Sequence, residues 1–172
     1  MVEINNLTSL DFKFLEIKKI LDYVLNFFYL EKFDISISIV SDSEIKKANL
    51  YRNKNTVTDV LSFPYIFNDY MWEKFDLGAL NIDLVKGIIK EDKYEKGDYF
   101  LGEILICSSV CLKQSKEFGV SVSYEILYLL IHSFLHLLGF LDESSEVDYQ
   151  KMKKIQDELL IIIKSKFDLL NF

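Results

Sequence analysis

The chain has 172 residues, of which half are apolar and 27% charged, and its formal net charge is −7. This composition is that of a folded globular protein rather than a disordered segment, and the length fits one domain spanning residues 1–172. The acidic balance argues against tight, non-specific binding of duplex nucleic acid, which requires an extended basic face. We therefore expect no DNA partner, although a local basic groove is compatible with this charge.

The N-terminal and cysteine patterns predict a cytoplasmic protein with no membrane partner. Acidic and polar residues interrupt the first twenty positions, so no secretory signal is apparent. The most apolar stretch, Ile126 to Leu141, is shorter than the roughly 20 residues that span a bilayer and indicates a buried core helix. Cys107 and Cys111 have no other Cys or His nearby, which favours two reduced, half-buried thiols over a disulfide or a metal pair.

The first predicted element is a helix from about Ser9 to Phe28, because its apolar residues recur at the spacing of one buried face. Ile35–Ile39 alternates isoleucine with serine and predicts a half-buried strand. Ser41 and Glu44 have the spacing of a capping box and predict a second helix that ends near Arg52.

The middle of the chain gives weaker signals. Val57–Phe63 predicts a strand that Pro64 closes, and Leu101–Cys107 predicts another strand. Between them, within Tyr65–Phe100, Asn81–Lys90 fits a short helix, and the rest fits a hairpin or loop.

Three helices are predicted in the last third of the chain: Ser109–Phe118 stopping at Gly119, Ser121–Leu138 ended by Gly139, and a last helix capped by Ser145 and Asp148 that ends near Phe167. Strands and helices are interspersed, and some strands follow one another through helical crossovers. This order predicts a mixed sheet with helices packed on it.

The only two histidines of the chain, His132 and His136, lie four apart on the apolar helix. Residues i and i+4 share a helical face, so both imidazoles can bind one ion. Gly139 can adopt a left-handed conformation and reverse the chain, which would bring Asp142 toward the imidazoles. The spacing matches the zinc site of metzincin proteases, with a carboxylate as third ligand.

Two other interpretations of the histidine pair compete with a catalytic metal site. Histidines on an apolar helix can be core residues hydrogen-bonded to backbone carbonyls, although Gly139 and Asp142 at these offsets disfavour this. A metalloprotease would need a glutamate beside the first histidine as general base, and Ser133 occupies that position. Glu143 would have to take over that role, so protease activity is the less favoured function.

Three motifs resemble the YbeY family of bacterial rRNA-maturation endoribonucleases: Tyr51-Arg52 followed by Thr58 to Pro64, Leu101 to Ile106, and the octapeptide His132 to Gly139. The resemblance runs from about Ile35 to the last helix. It implies an α+β fold, which we expect as a small mixed four-stranded sheet with about five packed helices and the metal site at the end of the apolar helix. It also implies one Zn²⁺ per chain, with another divalent metal as an alternative.

The same resemblance implies cleavage of single-stranded RNA, a role in 16S rRNA 3′-end maturation and ribosome quality control, and rRNA and the ribosomal subunit as partners. The chain departs from the family after Gly139, where the family has Tyr-Asp-His and uses that histidine as third ligand. A gapless alignment places Asp142 at the ligand position. An alignment with one inserted residue would instead make Glu143 the ligand, and we favour Asp142 because it needs no gap. A carboxylate ligand also suits manganese or magnesium.

Arg52, the only arginine of the chain, is the candidate catalytic residue. It matches the arginine that the family places near the metal cleft, and its planar guanidinium can hold a phosphate through two hydrogen bonds. The alternative is a surface ion pair. Lys46, Lys47 and Lys54 lie nearby in sequence and would form a local basic patch.

The leading hypothesis is therefore a metal-dependent endoribonuclease that uses Arg52 and a metal on His132, His136 and Asp142. Two rivals remain: a non-catalytic ribosome-assembly factor with a structural metal, and a metal-binding core with no role in RNA chemistry. Asp59 and Ser62 are expected to form hydrogen bonds near the cleft, without a catalytic role.

Overall fold

A computed structural model describes residues 1–67, 72–91 and 99–169. Four strands form one sheet: β1 (Val2–Asn6), β2 (Asp34–Val40), β3 (Val60–Pro64) and β4 (Phe100–Cys107). Six α-helices lie in the described residues: α1 (Phe14–Phe27), α2 (Asp42–Asn49), α3 (Ile82–Glu91), α4 (Ser108–Phe118), α5 (Val122–Leu137) and α6 (Glu146–Lys166). A single 3₁₀ turn, Leu50–Arg52, follows α2. The predicted α+β class and mixed four-stranded sheet are confirmed, with six helices where about five were expected.

The sheet has the strand order β1-β2-β4-β3. β1, β2 and β4 are parallel, and β3 runs antiparallel to β4 at the edge of the sheet. Parallel neighbours require crossover connections, and α1 lies between β1 and β2 along the chain. Helix α1 therefore provides the crossover between β1 and β2, and helical crossovers of this kind were expected elsewhere in the chain.

The N-terminal prediction was wrong in two respects. Residues Val2–Asn6 form β1, although no strand was expected there, and α1 begins at Phe14 rather than near Ser9. The side-chain oxygen Oδ1 of Asn6 accepts from the Thr8 backbone N–H at 3.1 Å, and the Leu10 backbone N–H donates to the Thr8 hydroxyl at 3.2 Å. These local hydrogen bonds compete with helical ones and delay the start of the helix.

Helix α5 forms the centre of the core. It packs against β3, β4, α4 and α6, and eleven of its sixteen residues are buried. The Ser121 hydroxyl accepts from the Tyr124 backbone N–H at 3.0 Å and caps its N-terminus. A helix that is apolar on most faces is expected in the core, so the prediction of a core helix is confirmed.

Gly102 allows β4 to pass close to its neighbours. Its φ is +154°, and a Cβ at this position would collide with the Phe63 carbonyl oxygen and lie 2.7 Å from Leu137 Cδ2. The register of β2 against β4 also shifts here, between Asp34 and Ile35. A side chain would thus push β4 away from both β3 and α5.

Three polar side chains of α6 attach it to the segment from residue 72 to 91. Lys151 Nζ donates to the Trp72 carbonyl at 3.4 Å, and Lys154 Nζ donates to the Leu80 carbonyl at 2.6 Å. The backbone N–H of Ile82, the first residue of α3, donates to Glu158 at 2.9 Å. The predicted short helix at Asn81–Lys90 is confirmed within one residue. Of the hairpin or loop expected over the rest of Tyr65–Phe100, residues 72–80 form mostly turns, and residues 68–71 and 92–98 lie outside the described residues.

Both cysteines are fully buried and free, with Cys107 at the end of β4 and Cys111 in α4. Two free thiols were expected, but as half-buried groups. In the described part of the chain no single helix is long and apolar enough to cross a membrane, and only the pair α4 and α5, bent by 111°, passes such a test of length and composition.

Candidate metal centre and its cleft

Helix α5 brings the two imidazoles together at its C-terminal end. The rings of His132 and His136 are nearly perpendicular, with centroids 4.7 Å apart, and their Nε2 atoms are 3.2 Å apart. Both side chains are about one quarter exposed. The i, i+4 spacing therefore creates the convergence that the sequence predicted.

The turn after α5 brings Asp142 back to the imidazoles. Gly139 has a left-handed φ of +83°, and its N–H donates to the His136 carbonyl at 2.9 Å. One carboxylate oxygen of Asp142 lies 3.4 Å from His132 Nε2, and the other lies 3.5 Å from His136 Nε2. The predicted role of Gly139 in reversing the chain is borne out by this geometry.

The outer nitrogens of both rings are bound by acceptors. His136 Nδ1 donates to the Phe140 carbonyl at 2.8 Å, and His132 Nδ1 donates to Gln156 Oε1 at 3.2 Å. A carbonyl oxygen can only accept, so in the neutral rings the proton is on Nδ1 and the lone pair on Nε2. Two lone pairs and one carboxylate thus face a common centre.

This arrangement fits a metal ion. The three side chains each offer one ligand atom within 4.8 Å of the others. Ligand atoms bound tetrahedrally at zinc distances lie about 3.3 to 3.5 Å apart. Here the two Nε2 atoms are 3.2 Å apart, and each lies 3.4 or 3.5 Å from a different oxygen of the Asp142 carboxylate. Backbone and side-chain acceptors on the outer nitrogens are the usual support of ligating histidines. His132, His136 and Asp142 could therefore hold a metal ion.

Without a cation, the group stabilises positive charge on an imidazole. When protonated on Nε2, the imidazoles of His132 and His136 donate hydrogen bonds to Asp142 and hold the pKa of its carboxyl far below its usual range. Burial lowers the pKa of His132, but the hydrogen bond and charge of Asp142 outweigh it and the net shift is upward. Three converging acceptors favour a bound cation, either a proton or a metal ion.

Glu143, the alternative third ligand, points elsewhere. Its carboxylate pairs with Lys54 Nζ at 3.2 Å, while Asp142 faces both imidazoles. Ser133, which occupies the place of a metalloprotease general base, is fully buried, and its hydroxyl has no hydrogen-bond partner among the described residues. This geometry agrees with the gapless alignment and with protease activity as the less favoured function.

The histidine–aspartate group forms one wall of a cleft with a volume of about 640 Å³. Arg52, at the end of the 3₁₀ turn, lines the same cleft. Its Nη2 donates to the Ser62 carbonyl at 3.4 Å, and its guanidinium lies 6.0 Å from the Phe63 ring centroid. Nowhere in the described ranges does Arg52 pair with a carboxylate, so its charge faces the cleft.

Of the three lysines expected to form a basic patch, only Lys54 lines the cleft. Lys46 and Lys47 are exposed on the last turn of α2 and are not among the lining residues. The loop that carries Lys54 is shaped by Asn49, whose amide donates to the Thr56 carbonyl at 3.0 Å, and by Asn53, which has a left-handed φ of +59°. The basic patch is therefore smaller than the sequence predicted.

The strand segment from Thr58 to Pro64 serves both the core and the cleft. Leu61 is buried, and the Ser62 carbonyl, rather than its hydroxyl, contacts Arg52. Asp59 accepts hydrogen bonds from the Val60 backbone N–H at 2.8 Å and from Gln114 Nε2 at 3.0 Å. Asp59 therefore anchors β3 to α4 at the edge of the histidine–aspartate group.

Two supporting residues were not predicted from the sequence. Gln156 of α6 accepts from His132, and Trp72 donates from Nε1 to the Leu138 carbonyl at 2.7 Å, next to the turn. Gln156 lies on the buried face of the last helix, where a polar residue among apolar ones was a usable signal. Trp72 lies in a segment with no clear periodicity and gave no such signal.

Comparison with known proteins places this fold and cleft in a family. The sequence model of the family described as Endoribonuclease YbeY matches residues 4–164. Proteins named Endoribonuclease YbeY are 44% identical over 131 residues in Caldicellulosiruptor bescii, covering 76% of this chain and 73% of the relative, and 41% identical over 148 residues in Caldicellulosiruptor saccharolyticus, covering 83% and 84%. The relative from Persephonella marina is 33% identical over 153 residues, which is 88% of this chain and 84% of its own length.

A solved structure shares the fold. The solution structure of TM1509 from Thermotoga maritima superposes with a TM-score of 0.52 at 21% identity, covering 96% of this chain and 93% of the other. The region matched by the family model contains the whole cleft, including both histidines, Asp142 and Arg52. The fold and the matches define a member of an endoribonuclease class of hydrolases. The chain belongs to the YbeY family.

Proposed function

We propose that this protein is a metal-dependent endoribonuclease that cleaves single-stranded RNA. The observation that carries the proposal is that His132, His136 and Asp142 converge on the wall of a cleft that Arg52 also lines. A metal-binding group and a phosphate-binding cation in one open cleft suit hydrolysis of a phosphodiester. The family name gives the same class of substrate.

In this proposal His132, His136 and Asp142 hold one ion, with zinc as the metal that best suits their nitrogen and oxygen atoms. When bound, such an ion polarises a phosphoryl oxygen and makes a water molecule more acidic. Phe140 and Gln156 fix the orientation of the two imidazoles through their Nδ1 atoms. The replacement of a neutral imidazole by Asp142 lowers the charge of the loaded site by one, which weakens that acidification.

Arg52 binds the scissile phosphate and stabilises the charge that builds on its oxygens. Its guanidinium can donate two parallel hydrogen bonds to a phosphate, and the absence of a carboxylate partner among the described residues leaves it available. Lys54 adds a second cation at the same cleft. With a net charge of −7 on the chain, productive binding is restricted to this local basic edge.

The cellular role we propose is maturation of the 16S rRNA 3′ end and ribosome quality control in the cytoplasm, with rRNA and the ribosomal subunit as partners. The support is membership of the family and the two buried, free thiols, which suit a reducing compartment. An acidic chain with Arg52 and Lys54 at its cleft also favours delivery of RNA by a larger assembly over capture of free duplex.

The test is a cleavage assay with metal analysis. Protein purified without added metal is expected to contain about one metal ion per chain and to cut a single-stranded oligoribonucleotide but not the same sequence in a duplex. A chelator should abolish cleavage and zinc should restore it. His132→Ala and His136→Ala should each lose metal and activity, whereas Lys46→Ala, which removes an exposed charge outside the cleft, should keep both.

Full metal occupancy in the His132→Ala/His136→Ala double variant would disprove the metal assignment. Binding to ribosomal subunits by a metal-loaded protein that cuts no RNA would favour the assembly-factor function instead.

A further inference from the structure

A second, smaller pocket opens beside the cleft, between α5 and α6. Its volume is about 170 Å³. The two cavities share part of their lining, namely Asp59, Val60, His132 and Asp142. His132 and Asp142 line both cavities. When the phosphodiester of an RNA strand lies at these residues, a neighbouring nucleotide of the same strand can therefore reach the second pocket.

The walls of this pocket are suited to a flat ring. Tyr128 of α5 is 41% exposed and Tyr149 of α6 is 44% exposed, so both present ring surface to solvent, and Met152 contributes a polarisable thioether. Unpaired bases bind proteins by stacking on such aromatic side chains. The tyrosines have no role in the metal group itself.

The second, independent observation is an unpartnered polar group. Gln156 lines the pocket and is only 4% exposed, and its Nε2 has no hydrogen-bond partner in the described ranges. Its Oε1 is already used by His132. Burial raises the pKa of the Tyr128 phenol, and the Gln156 amide opposes this rise, which places that amide next to Tyr128 in the pocket wall. A buried, unpaired donor requires an acceptor, and every base edge carries acceptor atoms.

The charges of the pocket favour a base over a phosphate. Asp59 and Asp142 both line it, and a phosphate would be repelled by their carboxylates. Lys153 also lines it, but its ammonium is paired with Asp157 at 2.6 Å. A neutral, planar ligand with acceptor atoms on its edge matches this lining.

We propose that the pocket formed by Tyr128, Tyr149 and Gln156 binds one unpaired nucleobase of the RNA strand that crosses the metal group. This inference rests on the proposed function and adds to it a subsite. A base in a duplex is stacked and paired and cannot enter, so the pocket selects single-stranded RNA. Tyr128 and Tyr149 act in substrate binding, away from the scissile phosphate.

The test measures binding of metal-loaded protein to a nuclease-resistant, single-stranded oligoribonucleotide analogue by fluorescence anisotropy. A series of probes replaces one nucleotide at a time by an abasic residue. With the wild-type protein, one abasic position is expected to weaken binding by roughly fivefold or more, the loss of one stacked base. In Tyr128→Leu and Tyr149→Leu the intact probe should bind more weakly, and the penalty of that abasic position should largely disappear.

Tyr128→Phe and Tyr149→Phe keep the ring and should retain the penalty. Tyr124→Leu is the matched control, because Tyr124 lies one turn earlier on α5, near Lys164 and outside the pocket. If the intact probe binds tightly and every abasic probe binds equally well, the subsite is overturned and the endoribonuclease proposal still stands. No binding of any single-stranded probe overturns both.

Discussion

The indole of Trp72 stacks on the ring of Phe140, with centroids 4.8 Å apart and ring planes 10° from parallel. The Phe140 carbonyl accepts from His136 Nδ1, and Trp72 Nε1 donates to the Leu138 carbonyl. Trp72 therefore holds the turn at the end of α5 from both sides of Gly139. The orientation of one proposed metal ligand depends on a tryptophan more than sixty residues away in sequence.

Trp72→Phe is expected to reduce metal affinity as well as stability. The variant keeps an aromatic ring against Phe140 but leaves the buried Leu138 carbonyl without its donor, which costs about 1–3 kcal/mol in the free energy of unfolding. The loosened turn should weaken metal binding by about 10–100-fold, the usual effect of removing support from a ligand. Urea unfolding and competition with a metal indicator measure the two quantities.

The control is Ile20→Ala in α1, where the side chain is 1% exposed and far from the turn in sequence. It should destabilise the protein by about 2–5 kcal/mol while metal affinity stays the same. Equal loss of metal affinity in both variants would mean that stability alone controls the site.

Asp142→Ala and Glu143→Ala distinguish the two candidate third ligands. Asp142 faces both imidazoles, so its removal should weaken metal binding more than about 100-fold, beyond the range of a supporting residue. Glu143→Ala should change metal affinity little, because Glu143 pairs with Lys54. Calorimetric titration of the metal-free proteins gives the comparison, and a larger loss in Glu143→Ala would show that the register is off by one residue.

Arg52→Lys tests whether the guanidinium geometry matters or only its charge. We expect metal content and thermal stability to remain unchanged while kcat/KM for a single-stranded substrate falls by at least about 100-fold, as when one transition-state donor is removed. Arg52→Ala should lose as much or more. Near-normal cleavage by Arg52→Lys would reduce the role of Arg52 to electrostatic attraction.

Much of the site could be predicted from local spacing. The separation of His132 and His136, the left-handed Gly139 and the following Asp142 all lie within one helix and one turn, where backbone geometry follows from sequence. The cap of α6 was predicted for the same reason, and Ser145 accepts from the Asp148 backbone N–H at 3.1 Å.

The unpredicted features depend on contacts between distant residues. β1 is short, and it forms as a strand because it pairs in parallel with β2, more than thirty positions later. Trp72 and Gln156 act on the site only through tertiary packing. Lys46 and Lys47 lie away from the cleft because of where α2 ends. Gln156 alone left a local signal, as a polar residue on the apolar face of α6, and the other relations have no local pattern that would reveal them.

Glu125 in the core is expected to make stability depend on pH. It is 4% exposed, and burial, followed by the negative charge of Asp59, raises its pKa above the ordinary 4.5. The stabilising contribution of its neutral form is complete below pH 4.5 and is lost as the pH rises through the folded-state pKa. Glu125→Gln stays neutral, so its free energy of unfolding should exceed that of the wild type by an amount that grows above pH 4.5.

Glu44→Gln provides a control of opposite sign. Hydrogen bonds from Ser41 lower the pKa of the Glu44 carboxyl, so its contribution is present above pH 4.5 and is lost as the pH falls through the lowered pKa. The Gln variant should therefore be less stable than the wild type at neutral pH and approach it in acid. Parallel pH profiles for the two variants would contradict the assigned shifts.

The ion pair between Lys54 and Glu143 has a consequence for the ionic-strength dependence of RNA binding. When a phosphate pairs with Lys54, Glu143 loses its partner and binds a cation from the salt. This uptake offsets the cation that the phosphate releases when it binds the protein. Each phosphate contact with a single strand contributes about 0.7 to the slope of log Kd against log salt concentration. The slope measured for the wild-type protein should therefore be smaller than the number of phosphate contacts implies. Glu143→Gln should steepen that slope by roughly one contact. The pair thus makes substrate affinity less sensitive to salt. An acidic protein with one small basic edge needs this buffering to keep RNA bound when the ionic strength changes.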